Sequence, residues 1–114
     1  MADDRSELLQ GTLDLLALKV LSLEPMHGWG ISERIRLLSG EVFDVNQGSL
    51  YPALQRLKRR GWITSEWRVS AKNRRARYYE LTGAGWKQLK AEQNAWKRSS
   101  SAVERILAAA AWPA

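Results

Sequence analysis

Leucine and valine recur at alternating steps of four and three through Leu9, Leu13, Leu16, Val20 and Leu23, a spacing that stacks all five on one helical face. Thr12, following Gly11, suits the N-cap, and Pro25 prevents the helix from continuing beyond Glu24. Residues Met1–Glu7 ahead of it are expected to be mobile. A turn over Met26-His27-Gly28-Trp29-Gly30 leads to a second short helix with Ile31, Ile35 and Leu38 on one face and Ser39-Gly40 as its stop. A third helix lies between Asn46 and Gly61, where Leu50, Leu54 and Leu57 keep helical spacing. Asn46 and Ser49 both suit its N-cap. Pro52 lacks the N–H that an interior position donates and fits a start at Ser49, but the earlier start is favoured.

From Trp62 to Thr82 the period drops to two. Ile63, Ser65, Trp67 and Val69 alternate with Thr64, Glu66 and Arg68, and Arg77, Tyr79 and Leu81 alternate with Tyr78 and Glu80. Two strands therefore flank a polar tip over Ser70–Arg75, in which Asn73 is the residue best able to take a left-handed backbone. Thr82 caps a last helix running to about Ala111. Along it Trp86, Leu89, Gln93, Trp96, Ser100, Val103, Leu107 and Ala110 form an unbroken heptad seam. The elements predict a mainly α fold: a winged helix-turn-helix of three helices plus a two-stranded wing over residues 8–82, then a long C-terminal dimerisation helix over 83–111. At roughly 40 Å that helix outruns the surface of a small winged domain, so a second copy of the chain is the expected partner, with Trp86, Leu89, Gln93, Trp96, Ser100, Val103 and Leu107 at the interface of a homodimer.

Composition narrows the function classes. The chain has no cysteine and one histidine, which excludes disulfides and leaves little for a zinc site. No cofactor or metal is expected. Neither a phosphate-cradling glycine loop nor carboxylates paired on a shared face are evident, so an enzyme is not expected. The apolar stretches are too short or too interrupted to cross a bilayer, and the acidic N-terminus is unlike a secretion signal, so a cytoplasmic protein is expected. The charge is concentrated. Between Gln55 and Tyr79 nine cations face the single Glu66, a net +8 within a chain of net +6, which leaves −2 for all the rest.

A helical wheel through Leu50, Leu54 and Leu57 turns Gly48, Pro52, Gln55, Arg56 and Arg59 outward, flanked by Ser49 and Tyr51. The small residues of this face let the backbone approach a groove floor, and Tyr51 with the helix N-terminal amides suits phosphate oxygens. Gln47 and Gln55 can pair with adenine edges, and Arg56 with guanine or phosphate. Lys72, Asn73, Arg74 and Arg75 at the wing tip supply a second contact in a minor groove or along the backbone, whereas Arg77 reads equally as a strand-surface residue. Double-stranded operator DNA is the expected partner. The alternative is a winged-helix module that binds protein or RNA. RNA readers usually expose aromatics for stacking, and here the aromatics are expected on apolar seams, with Trp29, Trp62, Trp67 and Trp86 as core or interface bulk. His27 reads as a turn residue or a hydrogen-bond donor.

Four stretches resemble PadR-type transcriptional regulators: Gly11-Thr12-Leu13-Asp14-Leu15-Leu16, His27-Gly28-Trp29-Gly30-Ile31, Gly48-Ser49-Leu50-Tyr51-Pro52-Ala53-Leu54 and Arg74-Arg75-Ala76-Arg77-Tyr78-Tyr79-Glu80-Leu81-Thr82. The resemblance runs in order from Leu8 to Leu107. With a single long last helix, the chain is similar to the compact subfamily, which implies a dimer that represses genes for stress responses, detoxification or efflux. The Val103–Leu107 ending resembles a branch from soil bacteria often encoded beside permeases. Gln10 departs from the pattern, standing where a basic residue is common. In some similar members a tryptophan matching Trp96 lines a pore at the dimer interface and stacks on planar aromatic or cationic small molecules. By this resemblance Trp96 is a candidate effector-binding residue, and by its place on the seam it is equally an interface anchor.

Overall fold

Helix α1 (Gln10–Leu23) is apolar nearly all round, and a helix of that kind has to be surrounded. In the computed structural model, which describes residues 10–112, α1 runs through the middle of the domain. It touches α2 (Gly28–Leu38), α3 (Gln47–Arg59), α4 (Gly83–Ala108) and one strand of the sheet. Leu13, Ala17, Leu18, Val20 and Leu21 are buried. The predicted stripe holds only in part, because Leu16 is half-buried and Leu23 is exposed, while Leu9 and the Met1–Glu7 segment lie outside the described residues. Thr12 is not the cap either, since the helix has already begun at Gln10.

The predicted turn at Met26–Gly30 is a strand followed directly by a helix. Strand β1 (Met26–His27) pairs antiparallel with β3 (Arg75–Leu81), which also pairs with β2 (Ile63–Val69), giving the order β1-β3-β2. His27 then caps α2, and it does so as an acceptor: its Nδ1 takes the Gly30 N–H at 3.0 Å. Ile31 and Ile35 are buried, whereas Leu38 turns outward and is 63% exposed.

Helix α3 starts at the earlier of its two candidate positions. The Asn46 side chain accepts from the Ser49 N–H at 2.8 Å, and the helix continues through Pro52. It stops by a Schellman closure, with Gly61 N–H bonded to Lys58 O and Trp62 N–H to Leu57 O, which Gly61 permits by taking φ +77°. Leu50, Ala53, Leu54 and Leu57 enter the core beside Ile63, Tyr79 and Leu81.

The wing is β2 and β3 in the register Ile63↔Leu81 to Val69↔Arg75. Its tip is closed by Ser70 N–H to Arg74 O and Asn73 N–H to Ser70 O, with Asn73 left-handed at φ +59° as its composition predicts. Thr82 caps α4, accepting from Gly85 N–H at 3.0 Å while its own hydroxyl donates to Gly61 O at 2.7 Å. Helix α4 ends at Ala108, three residues short of the expected end. At about 39 Å it outlasts the body it starts from, drawing the molecule out to 64 Å along its long axis.

Gly85 lies where no side chain fits: a Cβ there meets the Trp62 carbonyl oxygen at 2.0 Å. Gly83, two residues earlier, has open space. Gly85→Ala is therefore expected to cost about 1–3 kcal/mol of stability in urea unfolding, and Gly83→Ala to be neutral or slightly stabilising. Equal midpoints for the two variants contradict this account of the α4 start.

Candidate nucleic-acid interface

Helix α3 and the wing stand on either side of a groove of about 640 Å³ lined by Gln47, Tyr51 and Leu54 on one wall and Lys72, Arg74, Arg75, Arg77 and Tyr79 on the other. Gly48, Ser49, Tyr51, Pro52 and Arg59 are exposed along the helix, and Gln55 is half-buried. The small residues leave the α3 backbone bare near its N-terminus, where amide N–H groups and the helix dipole favour anions. Lys72, Asn73, Arg74 and Arg75 are all exposed at the wing tip. Asn73 is there first of all because the turn needs its backbone conformation.

Two predicted contacts are committed elsewhere. Arg56 turns back beneath α3 and pairs with Asp14 of α1, Nη2 to Oδ1 at 2.9 Å, both side chains largely buried. It ties α3 to α1, and a base contact through Nη2 would compete with that pair. Gln47 ties α3 to α2, its Nε2 donating to Gly28 O at 3.2 Å and to Ser32 Oγ at 2.8 Å. Its amide donors are thus occupied, leaving Gln55 as the glutamine of this face with no partner among the described residues.

Sequence reasoning placed Tyr51 on this face but missed the tryptophans beside it. Trp29 is 66% exposed at the start of α2 and lines the groove, and Trp67 and Tyr51 are also more than half open. Trp86 is exposed as well; only Trp62 packs partly against the core. Trp29 and Trp67 therefore do not fall on apolar seams, whereas Tyr79 is buried in the core, and with tryptophans exposed on this side the aromatics do not discriminate against RNA. A hydrophobic residue that breaks helical spacing was the available signal: Trp29 falls off the Ile31–Ile35 face. Burial pushes the Tyr79 phenol above its ordinary value; Tyr51 adds to the shift and Arg77 opposes it, which places all three around the groove floor.

On the far side, α4 contributes Leu89 to the core of its own chain, so Leu89 is not open to a partner as the seam predicted. Trp86, Trp96, Val103 and Leu107 are exposed, and Gln93 and Ser100 are half-buried. A cleft of about 250 Å³ between α1 and α4 is lined by Thr12, Leu15, Glu92 and Trp96 among others. Glu92, one position off the seam, was not anticipated. Its Oε2 is buried without a partner, and burial holds the carboxyl above its ordinary value, with Asp14 adding to the shift and Gln88 and Arg60 opposing it. No cluster of metal-ligating residues occurs among the described residues, and no helix there is long and apolar enough to cross a membrane.

A helix-turn-helix whose reading helix faces a cationic β-ribbon defines a winged-helix DNA-binding protein, and here the comparisons with known proteins agree. Residues 17–91 match the model of the transcriptional regulator PadR-like family, and the chain belongs to that family. A PadR-like transcriptional regulator of Bacillus cereus is 29% identical, with 91% of this chain and 99% of that one covered and a TM-score of 0.78. A transcriptional regulator of Clostridium thermocellum is 28% identical over 88% of this chain and 97% of its own, also at 0.78. An uncharacterized protein X of Lysinibacillus sphaericus is 23% identical over 103 residues, 90% of this chain and 94% of that protein. The protein is a DNA-binding transcriptional regulator and not an enzyme.

Glu92 gives a pH signature. Since its folded value is raised, the folded chain holds the proton more tightly than the unfolded chain does. That contribution is fully present below the ordinary value of 4.5 and is lost as pH rises through the folded value. Glu92→Gln is therefore expected to raise the urea midpoint at neutral pH, the gain fading as pH falls toward 4.5. A gain that is constant with pH, or a loss at neutral pH, speaks against a strained carboxylate.

Proposed function

We propose that the chain is a homodimeric repressor of the cytoplasm that sets two copies of α3 into successive major grooves of a palindromic operator, roughly 34 Å apart, and so blocks transcription. The observation that carries this reading is the groove itself: a helix face stripped of bulk across from a wing whose Lys72, Arg74 and Arg75 are exposed and have no carboxylate partner among the described residues. In this reading Gly48, Ser49 and Pro52 admit the groove floor, Tyr51 and Arg59 take phosphates, and Gln55 reads a base. The wing tip takes the adjacent minor groove or backbone. A homodimer is supported by α4, which leaves Trp96 and Val103 about half open and Leu107 78% exposed, an apolar run beyond the reach of its own core. Response to a planar aromatic or cationic effector is supported by the cleft lined by both Trp96 and Glu92, whose Oε2 has no partner.

The reading is tested by competition among duplex DNA, single strands and structured RNA for the purified protein. Preference for duplex is expected, and equal affinity for all three overturns it. Arg74→Ala with Arg75→Ala is expected to weaken binding on every sequence and to reduce the salt slope by about two, whereas Gln55→Ala relaxes discrimination at one position by about 1–3 kcal/mol.

Sedimentation tests the assembly separately. Val103→Glu with Leu107→Glu is expected to give monomers that still melt cooperatively, and a dimer surviving both changes removes α4 from the interface. Quenching of tryptophan fluorescence by planar cations, lost in Trp96→Ala, is the expected sign of an effector site; its absence reduces Trp96 to an anchor.

A further inference from the structure

The two faces of the wing treat their arginines in opposite ways. On the outer face Arg68 lies over the Tyr78 ring at 5.5 Å but also donates through Nε to Glu66 at 2.8 Å and lies 3.4 Å from Glu80, so its charge is neutralised within the sheet. The other face is continuous with Ile63, Tyr79 and Leu81 of the core and looks into the α3 groove. There the register sets Trp67 opposite Arg77 and Val69 opposite Arg75. Both guanidiniums lie over the Trp67 indole, with Cζ 5.1 Å from the ring centroid for Arg75 and 5.4 Å for Arg77. Arg77 Nε also donates to Ser65 Oγ at 3.2 Å. Among the described residues neither arginine has a carboxylate partner.

A carboxylate partner cancels charge and occupies the guanidinium edge. An aromatic face does neither: it holds the plane of the guanidinium, restricts its rotamers, and leaves the N–H edge free for a bidentate oxyanion. An indole left 55% open on a strand and overlaid by two cations is poor core and a good platform. We propose that Trp67 is a positioning residue for DNA binding, holding Arg75 and Arg77 in the groove, ready for the phosphate oxygens of the strand that passes between α3 and the wing. This rests on the groove being the DNA-binding surface. It adds Arg77 and Trp67 to that surface and separates them from Arg68, which is of the same charge and on the same ribbon.

The test is a double-mutant cycle on the full chain, read by anisotropy of a labelled duplex fragment selected by the protein, at several salt concentrations. Trp67→Leu, which keeps apolar bulk but loses the ring, is expected to weaken binding about 5- to 10-fold in the wild-type background and to have no further effect when Arg75 and Arg77 are both alanine. Trp67→Phe, which keeps a π-face, is expected to restore most of the loss. The arginine pair alone is expected to reduce the salt slope by about two. Equal losses from Trp67→Leu in both backgrounds mean that Trp67 touches DNA or supports the wing by itself, and overturn the positioning role; so does no loss in the wild-type background. Thermal melts establish that each variant folds, and if Trp67→Leu does not, Trp67→Met, which also lacks the ring, carried through both backgrounds runs the same cycle. An Arg75→Ala, Arg77→Ala protein that binds duplex as well as wild type sinks the groove reading itself, which distinguishes that failure from the loss of Trp67's role alone.

Discussion

The carbonyl of Trp62 is the point on which the reading parts of this molecule depend. It accepts the Thr82 N–H at 3.0 Å and lies so close to Gly85 that no side chain can stand between them. Next to it, Thr82 donates its hydroxyl to Gly61 O and accepts Gly85 N–H. The Schellman closure of α3, the base of β2, the end of β3 and the first turn of α4 are thereby joined within a few residues. Each hydrogen bond contributes only about 1 kcal/mol net, but together they fix the start of α4 against the end of α3 and the base of the wing.

Side-chain pairing then decides which of the nine cations in the basic segment are available. Arg56 is spent on Asp14 beneath α3, Arg68 on Glu66 and Glu80 outside the wing, and Arg60 covers Trp62 at 5.1 Å beside the α4 start. Lys72, Arg74, Arg75 and Arg77 line the groove. Net charge along the chain points to this segment as a polyanion surface, but it counts braces and exposed cations alike. Long-range steering depends on the total, while the geometry of a complex depends on the remainder.

What was legible in the sequence was whatever local chemistry decides. The Asn46 and Thr82 caps, the left-handed Asn73 and the stop at Gly61 all follow from rules spanning four or five residues, and the structure has them where those rules put them. What was not legible depends on distant partners. Arg56 meets Asp14 across 42 positions of chain, and Gln47 meets Ser32 across 15, so a helical wheel that knows only its own helix turns both outward. Strand β1 has two residues, too few to show a period, and exists because β3 had an edge to offer. On α1 the apolar residues nearly encircle the helix, so no single stripe predicts which of Leu16, Leu18 and Leu21 is covered. The aromatics were misplaced for a related reason: bulk and hydropathy favour burial, and nothing local signals an indole held at the surface under two arginines.

The seam along α4 shows the same division within one helix. Its heptad pattern is continuous from Trp86 to Ala110, yet Leu89 is buried in its own domain while Trp96, Val103 and Leu107 are open. A helix fixed at its first turn, with Leu89 its last buried residue, changes from covered to open along its length. The continuity of the heptad hides that change, because a core and a second helix ask for the same spacing. The change falls near Glu92, which faces the α1 cleft and leaves a buried carboxylate oxygen without a partner, close to the Asp14 that pairs with Arg56 of α3. The least satisfied polar group of the helix thus lies between the part buried by its own domain and the part left open.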